Sequence, residues 1–252
     1  MNSEAERLRK SINMEDQEKT NNQLIKETHD LRARVAQLEE SDAERTQAKE
    51  ALSQSLEKLK RATAFIIDVI VMLVETRDPF MSGHQKRVAD LARSIAAEMN
   101  LSDEIIDGIG MAGLVHDLGK ISIPVEILGQ PRQLTNGEYS LVKTHPEIGY
   151  QILKDIDFYR PVALIVYQHH ERVNGTGYPQ GIRGDDILPE ARILGVADVV
   201  EAICRYRPYR PASGIDKALK EISQYSGVLY DPEAVDACTR LFMEKGFRFK
   251  SR

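Results

Sequence analysis

Hydrophobic residues recur at helical spacing along most of the chain. From about Glu6 to about Lys60 there is no proline and no glycine, and charged and amide residues dominate. The apolar positions in this stretch share a 3-4 heptad register, which is typical of a coiled-coil seam. They are Leu24, Leu31, Val35, Leu38, Leu52, Leu56 and Leu59, and the register continues through Ile66, Ile70 and Leu73. The pattern predicts a long N-terminal helix, with residues 1–60 as a coiled-coil stalk.

The predicted seam is interrupted by polar residues. Between Leu38 and Leu52 the register places Asp42, Arg45 and Lys49 on the apolar face. Two interpretations remain open, a parallel homodimer through the stalk and a solvated single helix with incidental leucines. We favour the homodimer because the register continues on both sides of the polar stretch and into the following segment.

From about Arg61 onward the pattern predicts an all-α domain that occupies residues 61–252. Apolar residues return every three or four positions, as at Val88, Leu91, Ile95 and Met99, and few alternating, strand-like runs occur.

Helix-start signals agree with this assignment. Thr135 and Glu138 have the spacing of a capping box, Ser102 precedes two acidic residues, and Asp231 precedes Pro232.

Composition narrows the classes of function. Hydrophobic residues make up 42% and charged residues 29%, as in globular proteins. The net charge of -5 argues against a groove for polymeric nucleic acid, although a small anionic ligand remains compatible. Cys204 and Cys238 lack paired spacing and no leader is recognised, so we expect a cytoplasmic protein. The apolar run from Ala64 to Val74 is too short for a membrane segment.

Histidines and acids cluster in the predicted domain. Five of the six histidines lie there, at His84, His116, His145, His169 and His170. Any one of them is more often an ordinary core residue than a ligand, and an isolated Asp198 would more often be a cap or an ion-pair partner. Together they predict a metal site, because coordination offsets the cost of burying imidazoles and carboxylates.

The local context of these residues suggests where they lie. His116 and Asp117 follow an apolar helical run, and the adjacent His169 and His170 would diverge by about 100° on a helix and reach different ions. His145 precedes Pro146, which predicts a non-helical backbone at a junction between helices. Nitrogen and oxygen ligands favour iron, manganese, zinc or nickel over calcium.

Six ordered motifs resemble the HD-GYP family, a subgroup of the HD-domain metal-dependent phosphohydrolases. They are GHQKRVA at Gly83, HDLGK at His116 with the following ISIP, THPEIG at Thr144, HHERVNGTGYP at His169, ARILGVAD at Ala191 and RPYR at Arg207. The resemblance covers roughly Arg61 to Phe242. It implies a helical HD-domain bundle extended by the HD-GYP helices, and a phosphodiesterase that converts cyclic di-GMP to pGpG or GMP.

The resemblance also implies site residues. The metal ligands would be His84, His116, Asp117, His145, His169, His170 and Asp198, with Asp117 bridging two ions, iron or manganese ahead of zinc or nickel. Lys120 would contact the scissile phosphate, and Gly177, Tyr178, Arg207 and Arg210 would line the substrate pocket.

Departures from the family pattern leave some details open. Phe80 stands where members with a third metal carry a glutamate, so we predict two ions. Val173, Asn174 and the Cys204-Arg205 pair also depart from common family residues.

Two other functions remain possible: a broader HD phosphohydrolase and a non-catalytic cyclic-dinucleotide-binding or adaptor module. If the chain is catalytic, the stalk suggests the output module of a signalling protein.

Overall fold

The structure is a computed structural model that describes residues 2–77, 82–130, 132–158, 160–204 and 214–249. The chain divides into two compact units, Met1–Ala64 and Phe65–Arg252. The first helix, α1, runs from Asn2 to Arg77, which confirms the predicted long N-terminal helix. The predicted domain boundary after residue 60 stays a prediction.

The described part of the second unit is built from helices. After α1 come α2 (His84–Glu98), α3 (Asp103–Val115), a 3₁₀ helix (Leu118–Ser122), α4 (Val125–Leu128), α5 (Asn136–Val142), α6 (His145–Leu153), α7 (Val162–Gln168), a second 3₁₀ helix (Gly184–Asp186), α8 (Pro189–Cys204), α9 (Gly214–Gln224) and α10 (Pro232–Met243). The described ranges contain no β-strand, only an isolated bridge between Ser226 and Tyr230. The predicted all-α class is confirmed.

The core forms where α2 packs against α3 and α8. Val88, Leu91 and Ile95 of α2 are fully buried, and their three- and four-residue spacing is the one seen in the sequence. Gly113 permits the close crossing of α2 and α3, because a Cβ there would lie 2.8 Å from the Cα of Ala89. This crossing brings the start of α2 beside the end of α3.

Two of the predicted helix caps form their capping hydrogen bonds, and the third lies at the predicted helix start without one. The Thr135 side chain accepts a hydrogen bond from the N–H of Glu138, whose carboxylate accepts one from the N–H of Thr135. Asp231 caps α10 through the N–H of Ala234. Ser102 is the N-cap residue of α3, but its side chain makes no capping hydrogen bond.

The prediction for His145 was wrong in one respect. His145 is the first residue of α6 rather than a non-helical junction residue. Pro146 fits there because the first turn of a helix does not use its N–H groups for internal hydrogen bonds.

In the first unit, the described apolar positions of α1 are exposed. The seven stalk residues on the heptad register are each between 50% and 69% exposed. Of the interrupting polar residues, Arg45 forms an exposed salt bridge with Asp42 at 2.8 Å. Among the described residues, no helix combines the length and the hydrophobicity that a membrane span needs.

Candidate metal centre

Ends of helices bring the predicted ligands together. His84 begins α2, His116 and Asp117 follow α3, and His145 begins α6. His169 and His170 follow α7, and Asp198 lies in the middle of α8. All seven side chains belong to one cluster in which neighbouring groups could hold a metal ion. The sequence therefore named every member of this cluster.

Backbone carbonyl groups fix the orientation of three imidazole rings. The Nδ1 atoms of His116, His145 and His169 lie 2.8, 2.7 and 2.6 Å from the carbonyl oxygens three residues upstream. A carbonyl only accepts hydrogen bonds, so Nδ1 must carry the proton and a neutral ring then presents its Nε2 lone pair. The Nε2 atoms of His145 and His169 face each other at 3.4 Å. Two lone pairs that face each other repel, and a cation bound to both nitrogens would remove this repulsion.

His84 is oriented by a carboxylate instead. Its Nδ1 lies 2.6 Å from Oε2 of Glu201, whose Oε1 accepts a hydrogen bond from Nε of Arg87, also at 2.6 Å. The Nε2 atom of His84 is buried without a hydrogen-bond partner, as is Nε2 of His116. Buried polar atoms without partners are costly, and a metal ion would satisfy both.

Two carboxylates complete the donor set. Oδ1 of Asp117 lies 3.3 Å from Nε2 of His145, while Oδ2 lies 3.4 Å from Nε2 of His116. Oδ1 of Asp198 lies 3.3 Å from Nε2 of His84. The two oxygens of Asp117 thus face different histidines, as expected of a bridging carboxylate.

The ligand atoms fall into overlapping groups whose members lie within 4.8 Å of one another. One group is His84, His116 and Asp198, a second is His145, His169 and His170, and a third joins His116, Asp117 and His169. The His169 and His170 rings do not separate as expected, since their centroids are 4.0 Å apart. The helix ends at Gln168, just before this pair, and both rings join the His145 group.

The electrostatics favour the protonation states of metal ligands at His145, His169, His170 and Asp117, but not at His84. Burial lowers the pKa of His145 to about 4 and holds those of His169 and His170 well below the usual value. For Asp117, burial alone would raise the pKa, but Lys120 and His116 outweigh it and hold the pKa well below its ordinary range. Burial also opposes the charged form of His84, yet the nearby carboxylates of Asp198 and Glu201 raise its pKa to about 9, so this ring favours the protonated form when no metal is bound. Neutral imidazoles and ionised carboxylates are the forms that bind metals.

Lys120 reaches the same centre from the 3₁₀ helix after Asp117. Its Nζ lies 2.8 Å from Oδ2 of Asp117, and its side chain is 12% exposed. The preceding Gly119 is required sterically, since a Cβ there would lie 1.9 Å from the carbonyl oxygen of His145. The glycine of the HDLGK motif therefore lets the segment that carries Lys120 pack closely against the start of α6.

A cleft of about 640 Å³ opens onto this cluster. Its walls include Lys120 and Tyr178 as well as Gln133, Leu134, Tyr139 and Val142 of the α5 region. The Tyr178 ring packs on His170 with 4.7 Å between centroids. Two of the predicted substrate-contacting residues, Arg207 and Arg210, lie outside the described residues. Phe80, on which the prediction of two metal ions rests, also lies outside them.

Gly177 has a different environment from Tyr178. A Cβ on Gly177 would lie 2.4 Å from the Cα of Glu171, so the loop crosses closely over that backbone. The buried Glu171 carboxylate accepts hydrogen bonds from the N–H groups of Gln180 and Gly181. These contacts hold the loop that presents Tyr178.

The sequence analysis did not predict the residues that support the candidate ligands. Glu201 and Arg87 orient His84, and Glu171 holds the Tyr178 loop. A sequence signal existed for Glu201, because it follows Asp198 by three positions on a largely apolar helix and so shares its face. No comparable periodic signal marks Glu171 or Tyr139.

A family profile described as HD domain matches residues 68–234, which is more than half of the chain. The chain belongs to the HD-domain family. Relatives of this HD-domain protein include a cyclic di-GMP phosphodiesterase response regulator, RpfG, from Xanthomonas campestris, which is 37% identical over 221 residues. That alignment covers 86% of this chain and 56% of the relative.

A 3'3'-cGAMP-specific phosphodiesterase from Vibrio cholerae is 35% identical, over 68% of this chain and 37% of the relative. The HD-domain chain thus spans about half of the first relative and less of the second. An HDG"Y"P protein from Bdellovibrio bacteriovorus has a similar fold, with a TM-score of 0.55, 22% identity, and coverage of 64% of this chain and 52% of that one. The solved structure shows a similar fold, and the family profile together with the similarity to RpfG confirms the assignment to the HD-GYP group.

Proposed function

We propose that this HD-GYP chain is a metal-dependent phosphodiesterase that hydrolyses cyclic di-GMP. The observation that carries the proposal is the convergence of imidazole Nε2 atoms, with tautomers fixed by their Nδ1 hydrogen bonds, on the carboxylates of Asp117 and Asp198. Similarity to phosphodiesterases of cyclic di-GMP and of cGAMP supports the substrate class.

The donor set fits two divalent ions. His84, His116 and Asp198 would hold one, His145, His169 and His170 the other, and Asp117 would bridge them. Imidazole nitrogen mixed with carboxylate oxygen suits iron or manganese, with zinc or nickel as alternatives. When bound, the ions would supply a nucleophile derived from water at neutral pH and positive charge against the phosphate oxygens.

The remaining steps belong to residues of the chain. Lys120 would donate hydrogen bonds to the scissile phosphate and offset the charge that develops there, because its ammonium already lies beside the bridging carboxylate. Tyr178 would line the substrate pocket, with Glu171 holding its loop, and Gly177 would allow that loop to approach closely. We place Arg207 and Arg210 at the substrate phosphates on the family resemblance alone.

The direct test is anaerobic purification, quantification of bound metal, and chromatography of the products from cyclic di-GMP. We expect pGpG or GMP to appear with the parent protein. Asp117→Ala should abolish metal retention and turnover, whereas Lys120→Ala should retain metal and slow turnover by about 100-fold. Lys154→Ala, at an exposed lysine, is the matched control.

Two outcomes of this test would favour other functions. If the protein retains metal and binds a cyclic dinucleotide tightly but cleaves none, the result would indicate the non-catalytic module. Cleavage of nucleotides or phosphomonoesters in preference to cyclic dinucleotides would indicate the broader HD phosphohydrolase. Equal activity of parent, Asp117→Ala and Lys120→Ala proteins would contradict the assigned roles.

We also propose that the chain forms a homodimer through the stalk, residues 1–60. The support is the exposed apolar stripe of α1, since contiguous exposed leucines at heptad spacing usually mark an interface. Analytical ultracentrifugation of the full chain should give a dimer, and Leu31→Lys with Leu38→Lys should give a monomer. A monomeric parent would refute this proposal without affecting the metal centre. A signalling role and the cytoplasmic location stay predictions.

A further inference from the structure

One wall of the cleft contributes no side chain to the candidate metal centre. It is formed by Gln133, Leu134, Tyr139 and Val142, in and just before α5. Tyr139 is 49% exposed, a large fraction for an aromatic ring in a cleft. Tyr178 belongs to the lining of the same cleft, so two aromatic rings from separate elements border the space in front of the metal ligands.

The segment that carries Tyr139 is held firmly. The Glu138 carboxylate accepts hydrogen bonds from the backbone N–H and the hydroxyl of Thr135 at 2.7 and 2.9 Å. The same carboxylate accepts two from the Arg132 guanidinium at 2.9 and 2.8 Å. These contacts fix the first turn of α5, and Tyr139 is the next residue. A wall ordered before ligand binding loses little freedom when a ligand docks on it.

Lys143 supports the ring itself. Its ammonium lies 5.3 Å from the centroid of the Tyr139 ring and 5.8 Å from that of Tyr178. Lys143 is not among the residues that line the cleft, whereas both tyrosines are. The cation therefore contacts the rings without occupying the cleft, and such contacts hold the orientation of an aromatic side chain.

We propose that Tyr139 forms a nucleobase subsite, in which its ring stacks on a purine base of the dinucleotide while the adjacent phosphate lies at the metal centre. The inference rests on the proposed phosphodiesterase function and adds a residue that determines specificity. An exposed, preordered aromatic ring beside an anion-binding centre suits a ligand that has both a planar base and a phosphate. Stacking of a base on an aromatic side chain contributes about 1–3 kcal/mol.

The test compares substitutions of two exposed residues of α5. Tyr139→Ala removes the ring, Tyr139→Phe keeps it, and Leu141→Ala removes a neighbouring side chain that does not line the cleft. We expect Tyr139→Ala to raise KM for cyclic di-GMP about 5- to 150-fold with a smaller change in kcat. Tyr139→Phe and Leu141→Ala should stay within about 3-fold of the parent by the same relation.

A second measurement separates base recognition from general damage. Inhibition of the metal-loaded protein by GMP should weaken in Tyr139→Ala, while inhibition by ribose 5-phosphate, which has no base, should not change. Equal KM values for parent and Tyr139→Ala, or equal weakening of both inhibitors, would overturn the subsite. A parent that cleaves no cyclic dinucleotide would instead overturn the proposed function, and the subsite with it.

Discussion

Glu201 offers a sharp test of how the proposed metal ligands are held, because it contacts one of them, His84, and is not itself a candidate ligand. Glu201 is 1% exposed, and its carboxylate accepts hydrogen bonds from both His84 and Arg87 at 2.6 Å. Glu201→Gln keeps the size of the side chain but removes the charge and one acceptor oxygen. The amide NH₂ must then face either the imidazole N–H or the guanidinium, both of which are donors.

Two effects of different size follow from this geometry. Loss of a charge-assisted hydrogen bond at a buried site should lower the free energy of unfolding by about 2–3 kcal/mol. Loss of the carboxylate that orients His84 and raises its basicity should weaken metal affinity by about 10- to 100-fold. Urea unfolding of the metal-free protein measures the first effect, and titration against a competing chelator measures the second.

Glu98→Gln provides the control for a lost carboxylate. Glu98, at the end of α2, binds Arg240 at 2.9 Å and Lys245 at 2.6 Å, and is not one of the candidate metal ligands. This variant should bind metal as the parent does. If Glu201→Gln also retains the parent's metal affinity, the hydrogen bond from Glu201 does not orient His84 for metal binding.

Three further predictions concern single contacts. Gly119→Ala should lower stability by about 1–3 kcal/mol in urea unfolding, because its Cβ would meet the carbonyl of His145; unchanged stability would contradict that close approach. Glu171→Gln should raise KM for cyclic di-GMP with metal content unchanged, since Glu171 holds the loop of Tyr178 through N–H groups; loss of metal instead would place it in the metal centre. The pKa of the Glu138 carboxyl is lowered to about 2, chiefly by its hydrogen bonds with Arg132. The ionised carboxylate therefore stabilises the folded protein above pH 4.5, the ordinary pKa of a glutamate, and this stabilisation is lost as the pH falls towards 2. The stability difference between parent and Glu138→Gln should therefore shrink in acid, and a constant difference would refute this.

The helical fold and the cluster could be predicted from sequence for different physical reasons. Hydrophobic periodicity reports local burial, so it located α2 through Val88, Leu91 and Ile95. The members of the histidine and aspartate cluster, in contrast, could be singled out because imidazoles and carboxylates are unusual in apolar segments and match a family pattern. Both signals are local in the sequence and do not depend on how the helices pack.

Contacts between distant parts of the chain were not predictable in this way. His84 and Glu201 are 117 positions apart, and only the packing of α2 on α8 brings them together. Gly177 was expected in the pocket, but its required contact is with the backbone of Glu171. The helical start at His145 was missed because the restriction before proline was weighed above the tolerance of a first helical turn for proline.

The central claim is that the seven histidine and aspartate side chains bind two metal ions. Anomalous X-ray diffraction from crystals of the metal-loaded protein tests this directly. We expect two anomalous peaks per chain inside the cluster, with Asp117 between them. No peak in the cluster, or metal bound only elsewhere on the chain, would contradict it.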